Sequence, residues 1–367
     1  MNRLIAIALP GGPEFVKELS RAWDDGDAVF PVDLRLPLKM QRQLISEMGA
    51  SKIIDVSGET KTQGYPVELG DALVVATSGS TGNPKGAVLT HEAVVASAKA
   101  TSAFLKVDPS RDKWLSCLPV SHVGGLSVIC RALHTGTPVE AHGAFDKDRV
   151  VAAAERGATL TSLVPTAMAR VDSNLFRRVL VGGSAVPTDR PINVVTTYGM
   201  TETGSGVVYD GSPLDQVELR IINNEVQLRC PMLMRCYRDG SVPITSEGWF
   251  RTGDGGAIGP DGILEIFGRN SEMIITGGEN VWPLSVEKAL ANFHAFEECV
   301  VVGRTDSEWG QQVSVVAVLA KGVTIPSLDE VREHVKATLP AFCAPRQIEI
   351  RKTLPKTALG KVKKSLL

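Results

Sequence analysis

The sequence has no long hydrophobic run. The apolar stretch at its N-terminus, Leu4–Leu9, has only six residues, follows Arg3 and stops at Pro10. A membrane helix needs roughly 20 consecutive apolar residues, and a signal peptide needs a small-residue cleavage site after its apolar core. We therefore expect no membrane insertion and interpret Leu4–Leu9 as a buried strand.

Paired cysteines, clustered histidines and an excess of one charge are absent too. The six cysteines and six histidines are scattered, without a C-x-x-C pair, which argues against a disulfide scaffold and a zinc site. We expect reduced thiols in a cytoplasmic protein. Lys and Arg number 39 against 41 Asp and Glu, a net charge of −2. Nucleic acid and anionic membrane surfaces are therefore not expected partners.

Glycine is abundant instead, with 35 residues in clusters that follow short β-branched segments. Segments of helical period alternate with these, which predicts an α/β fold. Glycine at strand ends marks places where the backbone turns or approaches a ligand. The predicted strands include Leu73–Ala76, Val179–Val181, Val194–Thr197 and Ile274–Thr276, and the predicted helices include Glu14–Trp23, Leu38–Met48, Glu92–Leu105 and Lys147–Glu155.

The last hundred residues predict a smaller α+β unit. Ser327 followed by Glu330 forms a capping-box pattern at the start of a helix. The predicted strands are Cys299–Val302, Val313–Leu319 and Gln347–Ile350, and the predicted helices are Val286–Phe293 and Leu328–Leu339.

The predicted fold class is therefore α/β, with a large N-terminal domain and a small, mobile α+β C-terminal domain. The N-terminal domain, 1–268, should contain mixed or parallel sheets flanked by helices. A hinge at 269–271 leads to the C-terminal domain, 272–367. The tail at 354–367 is basic, and we expect it to be mobile.

The first motif that points to chemistry follows the strand Leu73–Ala76 and reads T-S-G-S-T-G-N-P-K-G. Glycine lets backbone N–H groups close on phosphate oxygens, hydroxyls donate hydrogen bonds, and the lysine adds positive charge. No Ser or Thr follows the lysine, so this is not a Walker A loop; a polar surface turn is the alternative. The predicted polyphosphate loop contains Thr77, Ser78, Gly79, Ser80, Thr81, Gly82 and Lys85.

Five motifs in this order resemble the signatures of the adenylate-forming superfamily, which includes acyl-CoA synthetases, adenylation domains of peptide synthetases and luciferases. After the phosphate loop come T-Y-G-M-T-E at 197–202, W-F-R-T-G-D at 249–254, G-R at 268–269 with I-I-T-G-G-E-N at 274–280, and P-K-T-A-L-G-K at 355–361. The resemblance implies ATP, Mg²⁺ and coenzyme A as cofactor and co-substrates.

The resemblance also gives single residues a role. Glu202, beside Thr201, would hold Mg²⁺, which one carboxylate and substrate phosphates commonly bind. Lys361 would bridge the acyl carboxylate and the α-phosphate during adenylation. The remaining nucleotide and coenzyme A contacts would come from Gly183 and Ser184 beside the adenine, Tyr198 and Gly199 at its face, Asp254 in a Gly-bounded turn at the ribose, Arg269 at the hinge, and Gly277 and Gly278 along a tunnel.

Each of these assignments has a structural alternative. A glutamate in a polar turn is often only solvated, a tyrosine packs in a core, and an aspartate beside glycine stabilises a turn. A lysine in a charged chain end is commonly solvated. The surrounding motif favours the functional role in each case.

The segment L-P-V-S-H-V-G-G-L-S at 118–127 resembles the o-succinylbenzoate–CoA ligases of menaquinone biosynthesis. In that branch His122 would guard the acid pocket, and core packing of this histidine is the alternative. An acid with a second carboxylate needs a cation or several polar donors near the apolar wall. Arg131 and Arg170 are both candidates because they lie near the pocket motifs in sequence.

Two features depart from the superfamily pattern. The phosphate loop begins at residue 77, so residues 1–64 should form a reduced first subdomain. The hinge carries Ser271 where relatives usually have Asp or Lys. Domain rotation requires only a pliable backbone there, so we expect the hinge to persist with an altered balance between conformers.

The sequence therefore predicts an AMP-forming acid–thiol ligase. A carboxylate attacks the α-phosphate of Mg·ATP, pyrophosphate leaves, and coenzyme A attacks the acyl-AMP after domain rotation. The expected acid is o-succinylbenzoate. Three alternatives stay open: another aryl or fatty acid, transfer to a carrier protein, and a nucleotide-binding regulator without turnover. A homodimer is also left open.

Overall fold

The computed structural model describes residues 2–77, 84–183, 190–356 and 362–367. The chain divides into two compact units. The first contains residues 1–219 and 228–250, and the second contains residues 220–227 and 251–367. The predicted hinge, 269–271, lies within the second unit, and rotation about it stays a prediction.

The strands of the described residues are, in chain order, β1 (Leu4–Ala8), β2 (Ala28–Pro31), β3 (Lys52–Asp55), β4 (Gly58–Lys61), β5 (Asp71–Thr77), β6 (Lys85–Thr90), β7 (Trp114–Ser116), β8 (Val139–Ala141), β9 (Leu160–Leu163), β10 (Arg178–Gly182), β11 (Val194–Gly199), β12 (Gly206–Tyr209), β13 (Ser212–Pro213), β14 (Glu218–Ile222), β15 (Glu225–Arg229), β16 (Cys236–Tyr237), β17 (Phe250–Ile258), β18 (Leu264–Arg269), β19 (Ile274–Thr276), β20 (Glu279–Val281), β21 (Phe296–Asp306), β22 (Gly310–Leu319) and β23 (Gln347–Ile350).

The α-helices of the same residues are α1 (Pro13–Asp24), α2 (Leu38–Met48), α3 (His91–Leu105), α4 (Val123–Thr135), α5 (Lys147–Glu155), α6 (Pro165–Met168), α7 (Pro283–Leu290) and α8 (Leu328–Lys336). In the described part of the chain, no helix is both long and apolar enough to cross a membrane.

The first sheet has the order β16-β6-β5-β2-β1-β3-β4. Its central strands β1, β2, β3 and β5 are parallel, and Leu4–Ile7 is buried throughout. Continuous burial is typical of a parallel strand covered on both faces. Ile45 and Met48 of α2 pack against Leu4 and Phe30 and so cover one face. Leu4–Leu9 is thus a buried strand as predicted, one residue shorter.

The second sheet has the order β13-β12-β11-β10-β9-β7-β8. Its strands are parallel from β11 to β8. Val150 and Ala153 of α5 pack against Val179 and Val181 of β10. Because the parallel strands point the same way, the loops after β7, β9, β10 and β11 leave the sheet at one edge. The predicted mixed α/β fold is confirmed.

The second unit contains a sheet of order β14-β15-β17-β18 and a sheet of order β20-β19-β22-β21, with β23 beside β22. Helices α7 and α8 pack Val286 and Val335 into the core of the latter sheet. The predicted capping box is present: Ser327 Oγ accepts from Glu330 N at 3.2 Å, and Glu330 Oε2 accepts from Ser327 N at 2.7 Å.

The described part of the C-terminal tail is packed, contrary to the expectation of a mobile tail. Leu354 is 5% exposed and lies in a cluster with Val302 and Val316, against which Val362 and Leu367 also pack. The basic residues of the tail concealed three apolar residues, Leu354, Val362 and Leu367, which pack against valines of β21 and β22.

Candidate functional site

Two parallel strands of the second sheet end together at the predicted nucleotide site. Gly182 of β10 pairs with Thr197 of β11, so Gly183 and Gly199 lie at the same edge, where α/β sheets commonly bind ligands. A Cβ on Gly182 would lie 2.3 Å from Thr197 Oγ1. Gly183 has a φ of +86°, which glycine adopts without strain. Ser184, predicted beside it, lies outside the described residues.

The turn that follows β11 carries the predicted metal ligand. Tyr198 is half-buried and pairs with Val208 of β12. Thr201 and Glu202 then form a 3₁₀ turn with Thr203, whose Oγ1 accepts a hydrogen bond from Met200 N at 3.0 Å. This local bond fixes the position of the turn at the edge of the sheet.

Glu202 is held at both its backbone and its side chain. Its carbonyl oxygen accepts from Met234 N at 2.7 Å, and its Oε1 accepts from the Tyr237 hydroxyl at 2.6 Å. Tyr237 belongs to none of the sequence motifs. The pairing of β16 with β6 brings it to the turn, and this pairing has no local signal in the sequence.

The predicted phosphate loop begins and ends on paired strands. Thr77 and Lys85 lie opposite each other at the ends of β5 and β6. Lys85 Nζ lies 4.8 Å from the centre of the Tyr237 ring and 3.9 Å from Asp239 Oδ2. The five loop residues Ser78, Gly79, Ser80, Thr81 and Gly82 lie outside the described residues, and their role stays a prediction.

The predicted gate, His122, contacts a pair of charged residues that the sequence motifs do not include. Arg35 Nη2 lies 2.7 Å from His122 Nε2 and donates to Asp33 Oδ2 at 2.6 Å. His122 Nε2 also lies 3.6 Å from Asp33 Oδ2, so the imidazole contacts both members of the pair. Burial works to raise the pKa of Asp33, but the His122 and Arg35 side chains and the Arg35 backbone N–H outweigh it. The pKa of Asp33 therefore lies well below its usual value.

Of the two candidate cations for a second carboxylate, Arg131 borders a cavity and Arg170 lies at the surface. Arg131 is 2% exposed and borders a narrow cavity between α3 and α4 with Ser127 and Gly204. Arg170 is exposed and stacks 4.9 Å from the Phe145 ring centre. The two arginines therefore differ in burial and access to the cavity.

The buried guanidinium of Arg131 is only partly satisfied. Its Nη2 donates to Ser205 Oγ at 3.2 Å, and its plane lies 4.7 Å from the Trp114 ring centre. Among the described residues, Nε and Nη1 have no hydrogen-bond partner. Burial lowers the pKa of Arg131, which Tyr209 and Cys130 counteract. The cavity beside it holds about 20 Å³, room for about one water-sized group.

In the second unit, Asp254 lies next to Arg269. Asp254 Oδ1 is 3.0 Å from Arg269 Nε, and Arg269 Nη1 donates to Thr252 O at 2.9 Å. The prediction that Asp254 lies in a Gly-bounded turn is wrong, because it lies inside β17. Glycine flanks Asp254 for two different reasons. Gly253 has a φ of +71°, which glycine adopts without strain. At Gly255 a Cβ atom would lie 2.2 Å from the Trp282 ring, so a larger residue would clash.

Gly277 and Gly278 form the turn between β19 and β20. Their φ values are +58° and +86°, and a Cβ on Gly277 would lie 2.5 Å from the Trp309 ring. Glycine is therefore required here by conformation and by packing. Lys361 lies outside the described residues, and its role stays a prediction.

In the first unit, the fold thus brings together the ends of the predicted phosphate loop, the adenine edge and the Thr201–Glu202 turn. Together with a parallel sheet they define an α/β nucleotide-binding enzyme. The sequence matches the AMP-binding enzyme family at residues 61–229 and the AMP-binding enzyme C-terminal domain at residues 285–361.

Comparison with a curated relative narrows the class of enzyme within this family. It is 38% identical over 324 residues to a probable 2-succinylbenzoate–CoA ligase of Mycobacterium tuberculosis, covering 81% of this chain and 83% of the relative. The chain belongs to the AMP-binding enzyme family and is an AMP-forming acid–CoA ligase.

Solved structures agree with this assignment. The o-succinylbenzoate CoA synthetase of Bacillus subtilis in complex with its acyl-adenylate intermediate is 26% identical, with a TM-score of 0.87 over 99% of this chain and 87% of that one. The same synthetase in complex with ATP and magnesium ion is 25% identical, with a TM-score of 0.86 over 100% of this chain and 89% of that one.

Proposed function

We propose that the chain is an o-succinylbenzoate–CoA ligase that acts in menaquinone biosynthesis. One carboxylate oxygen of the acid forms a bond to the α-phosphorus of ATP, and pyrophosphate leaves. The coenzyme A thiolate then attacks the acyl carbon, and AMP leaves with the carboxylate oxygen. The Mycobacterium and Bacillus relatives support this acid by their names.

The observation that carries the choice of acid is Arg131. A buried guanidinium with two unpaired nitrogens is costly unless an anion compensates it, and a cavity adjoins it. A dicarboxylic acid would present one carboxylate for activation and the other to Arg131. A fatty acid would leave Arg131 unpaired in the complex.

The metal ion would bind at Glu202. Oε1 is engaged by Tyr237, and Oε2 has no hydrogen-bond partner in the described part of the chain, so one carboxylate oxygen is available, as a hard cation with phosphate ligands requires. When bound, Mg²⁺ would neutralise charge on the phosphates. Thr201, Thr77 and Lys85 would orient the phosphates.

The adenosine would lie along the edge formed by Gly183, Tyr198 and Gly199, where the backbone allows close approach. Asp254 would hold the ribose hydroxyls, with Arg269 fixing its carboxylate. His122 would close the acid pocket behind the bound acid and exclude water from the acyl-AMP.

The second half-reaction would use the second unit. Rotation about 269–271 would withdraw Lys361 from the α-phosphate and bring in the turn of Gly277 and Gly278 beside the pantetheine. Lys361 would therefore serve adenylation and not thioester formation. A cytoplasmic location and the absence of nucleic-acid partners belong to the same proposal, and a homodimer would be compatible with it.

The experiment uses three acids: o-succinylbenzoate and its two analogues that each lack one carboxylate. The analogue that the wild-type enzyme still activates identifies the reacting carboxylate. Arg131→Met should raise KM for o-succinylbenzoate at least about 30-fold, because it removes one partner of a buried charge pair. It should leave KM for the reacting analogue nearly unchanged. Arg170→Met is the matched control and should behave like wild type.

The thermal stability of Arg131→Met separates misfolding from lost recognition. Replacing a partly unpaired buried charge by an apolar side chain of similar length should leave Tm unchanged or raise it. Equal loss of activity toward o-succinylbenzoate and toward the reacting analogue would contradict the proposal, and so would a wild-type preference for a fatty acid. Accumulation of acyl-AMP with free coenzyme A present would favour a carrier-protein acceptor, and absence of pyrophosphate release with every acid would favour a regulator.

A further inference from the structure

Tyr237 connects two residues of the phosphate site that lie far apart in the sequence. Its hydroxyl donates to Glu202 Oε1 at 2.6 Å. Its ring lies 4.8 Å from Lys85 Nζ, within the range of a cation–π contact. One side chain therefore touches both the carboxylate and the ammonium group that face the phosphates in our proposal.

The strand that carries Tyr237 is fixed at several points. Tyr237 pairs with Ala87 of β6. On one side of it, Arg235 donates to both carboxylate oxygens of Asp71 at 3.0 and 2.9 Å, and Asp71 is 2% exposed. On the other side, Arg238 Nε donates to Met48 O at 2.9 Å.

The same segment also holds the backbone of the metal ligand. Met234 N donates to Glu202 O at 2.7 Å, three residues before Tyr237 donates to the Glu202 side chain. A carboxylate fixed at its backbone and at one oxygen has little remaining freedom at χ1 to χ3. Its other oxygen, Oε2, is then presented in one direction.

We propose that Tyr237 is a positioning residue for the metal-binding carboxylate of Glu202. This inference rests on the proposed function, in which Glu202 binds Mg²⁺. The hydroxyl occupies Oε1 and leaves Oε2 for the metal, and the aromatic ring supports Lys85 beside the phosphates. Residues that orient a metal ligand typically change metal affinity or activity by about 10–100-fold when they are replaced.

Tyr237→Phe removes the hydroxyl and keeps the ring beneath Lys85. The Mg²⁺ concentration that gives half-maximal pyrophosphate release should rise about 10-fold or more. Calorimetric titration with ATP should show unchanged affinity without Mg²⁺ and a smaller gain when Mg²⁺ is added. Thioester formation from pre-formed acyl-AMP and coenzyme A requires no phosphate-bound metal, so its rate should stay at the wild-type value.

Tyr209→Phe provides the matched control. It removes a buried tyrosine hydroxyl that lies 3.0 Å from Thr101 Oγ1 rather than at the Glu202 carboxylate. It should lower Tm, because a buried hydrogen bond is lost, and leave the Mg²⁺ dependence unchanged.

Glu202→Gln distinguishes a failure of the positioning role of Tyr237 from a failure of the assignment of Glu202 as the metal ligand. If Glu202→Gln shifts the Mg²⁺ dependence and Tyr237→Phe does not, the positioning role of Tyr237 is wrong and the proposed function stands. If Glu202→Gln leaves the Mg²⁺ dependence unchanged, the assignment of the metal ligand is itself wrong. Equal loss in both half-reactions of Tyr237→Phe would indicate a general structural role and overturn the inference.

Discussion

At the scale of single residues, the contact between Arg35 and His122 joins positions 87 residues apart. Arg35 follows β2, and His122 precedes α4. The pair Asp33 and Arg35 forms a D-L-R sequence directly after a buried strand, which is a visible signal but not a specific one. Its partner becomes known only from the fold. The first 64 residues therefore supply a group that contacts the predicted acid gate.

Arg35→Met tests whether this contact matters for the acid. The variant removes the Arg35 contact with His122 Nε2. A hydrogen bond to a charged group contributes about 1.5 kcal/mol, which corresponds to about a tenfold change in affinity. KM for the acid should therefore rise about 10-fold. KM for ATP should stay constant. The measurement is steady-state pyrophosphate release at varied acid and varied ATP.

Arg21→Met is the control for this variant. Arg21 lies on α1 and donates to Glu18 Oε2 at 3.2 Å, so its replacement removes an arginine of the same unit without touching His122. An unchanged KM for the acid in Arg35→Met, or a parallel rise for acid and ATP, would show that the contact does not serve the gate.

The motifs predicted a set of candidate site residues but not the neighbours that contact them in the fold. Thr77, Lys85, Tyr198 and Glu202 belong to conspicuous local patterns. Tyr237 has no such pattern, because its role follows from a pairing between β16 and β6 that joins distant segments. Contacts of this kind depend on tertiary structure.

At the scale of elements, hydrophobic period and capping predicted most helices closely. Leu38–Met48 and Lys147–Glu155 have the predicted bounds. The helix α4 is absent from the predicted elements, because Gly124 and Gly125 lie in its first turn and glycine disfavours helix. Gly125 is nevertheless required there, since a Cβ would lie 2.3 Å from Leu118 O.

The end of the chain is attached to the second unit through Lys364. Its Nζ lies 2.8 Å from Glu287 Oε1 and 3.2 Å from Glu272 Oε2, and Glu272 belongs to the turn that contains the predicted hinge residue Ser271. Lys363, by contrast, is exposed. The two neighbouring lysines are therefore not equivalent.

Lys364→Met should loosen the segment that carries Lys361, and Lys363→Met should not. We expect amide hydrogen exchange in residues 354–367 to accelerate about twofold to fivefold in Lys364→Met, the effect of losing roughly 0.5–1 kcal/mol of ion-pair energy. Adenylation should fall more than thioester formation from pre-formed acyl-AMP. Equal exchange rates in the two variants would show that Lys364 does not anchor the tail.

At the scale of the whole molecule, the half-buried carboxylate of Glu140 makes the stability of the fold depend on acid pH. Glu140 lies 2.5 Å from Arg156 Nη2, 2.7 Å from Lys113 Nζ and 3.0 Å from His142 Nε2. The Arg156 hydrogen bond lowers the pKa of Glu140 most, burial opposes it, and Lys113 and His142 lower it further, to about 2. Glu140 therefore stabilises the fold above its ordinary pKa and loses this contribution as the pH falls toward 2.

Glu140→Gln should reduce the free energy of unfolding at pH 7 by on the order of 2 kcal/mol. The difference from wild type should shrink between pH 5 and pH 2, about the interval between the ordinary and the lowered pKa. Urea unfolding at several pH values measures this. Glu14→Gln, at an exposed position of α1, should show no such trend, and a difference that persists at pH 2 would refute the assignment.

The layer architecture could be predicted from the sequence, because apolar strands that alternate with amphipathic helices require helices on both faces of parallel sheets. The order of strands within each sheet could not be predicted from the sequence. The pairing of β16 with β6 and the position of Asp254 inside β17 depend on contacts between segments without a local signal.

The most direct test of the account follows one oxygen atom. With o-succinylbenzoate labelled with ¹⁸O in both carboxylates, the enzyme should form o-succinylbenzoyl-CoA and AMP in the presence of ATP, Mg²⁺ and coenzyme A. Mass spectrometry should find one ¹⁸O in each AMP and none in pyrophosphate, because the carboxylate oxygen bonds to the α-phosphorus and leaves with AMP. Unlabelled AMP, or ADP with labelled phosphate, would contradict adenylation as the reaction of this chain.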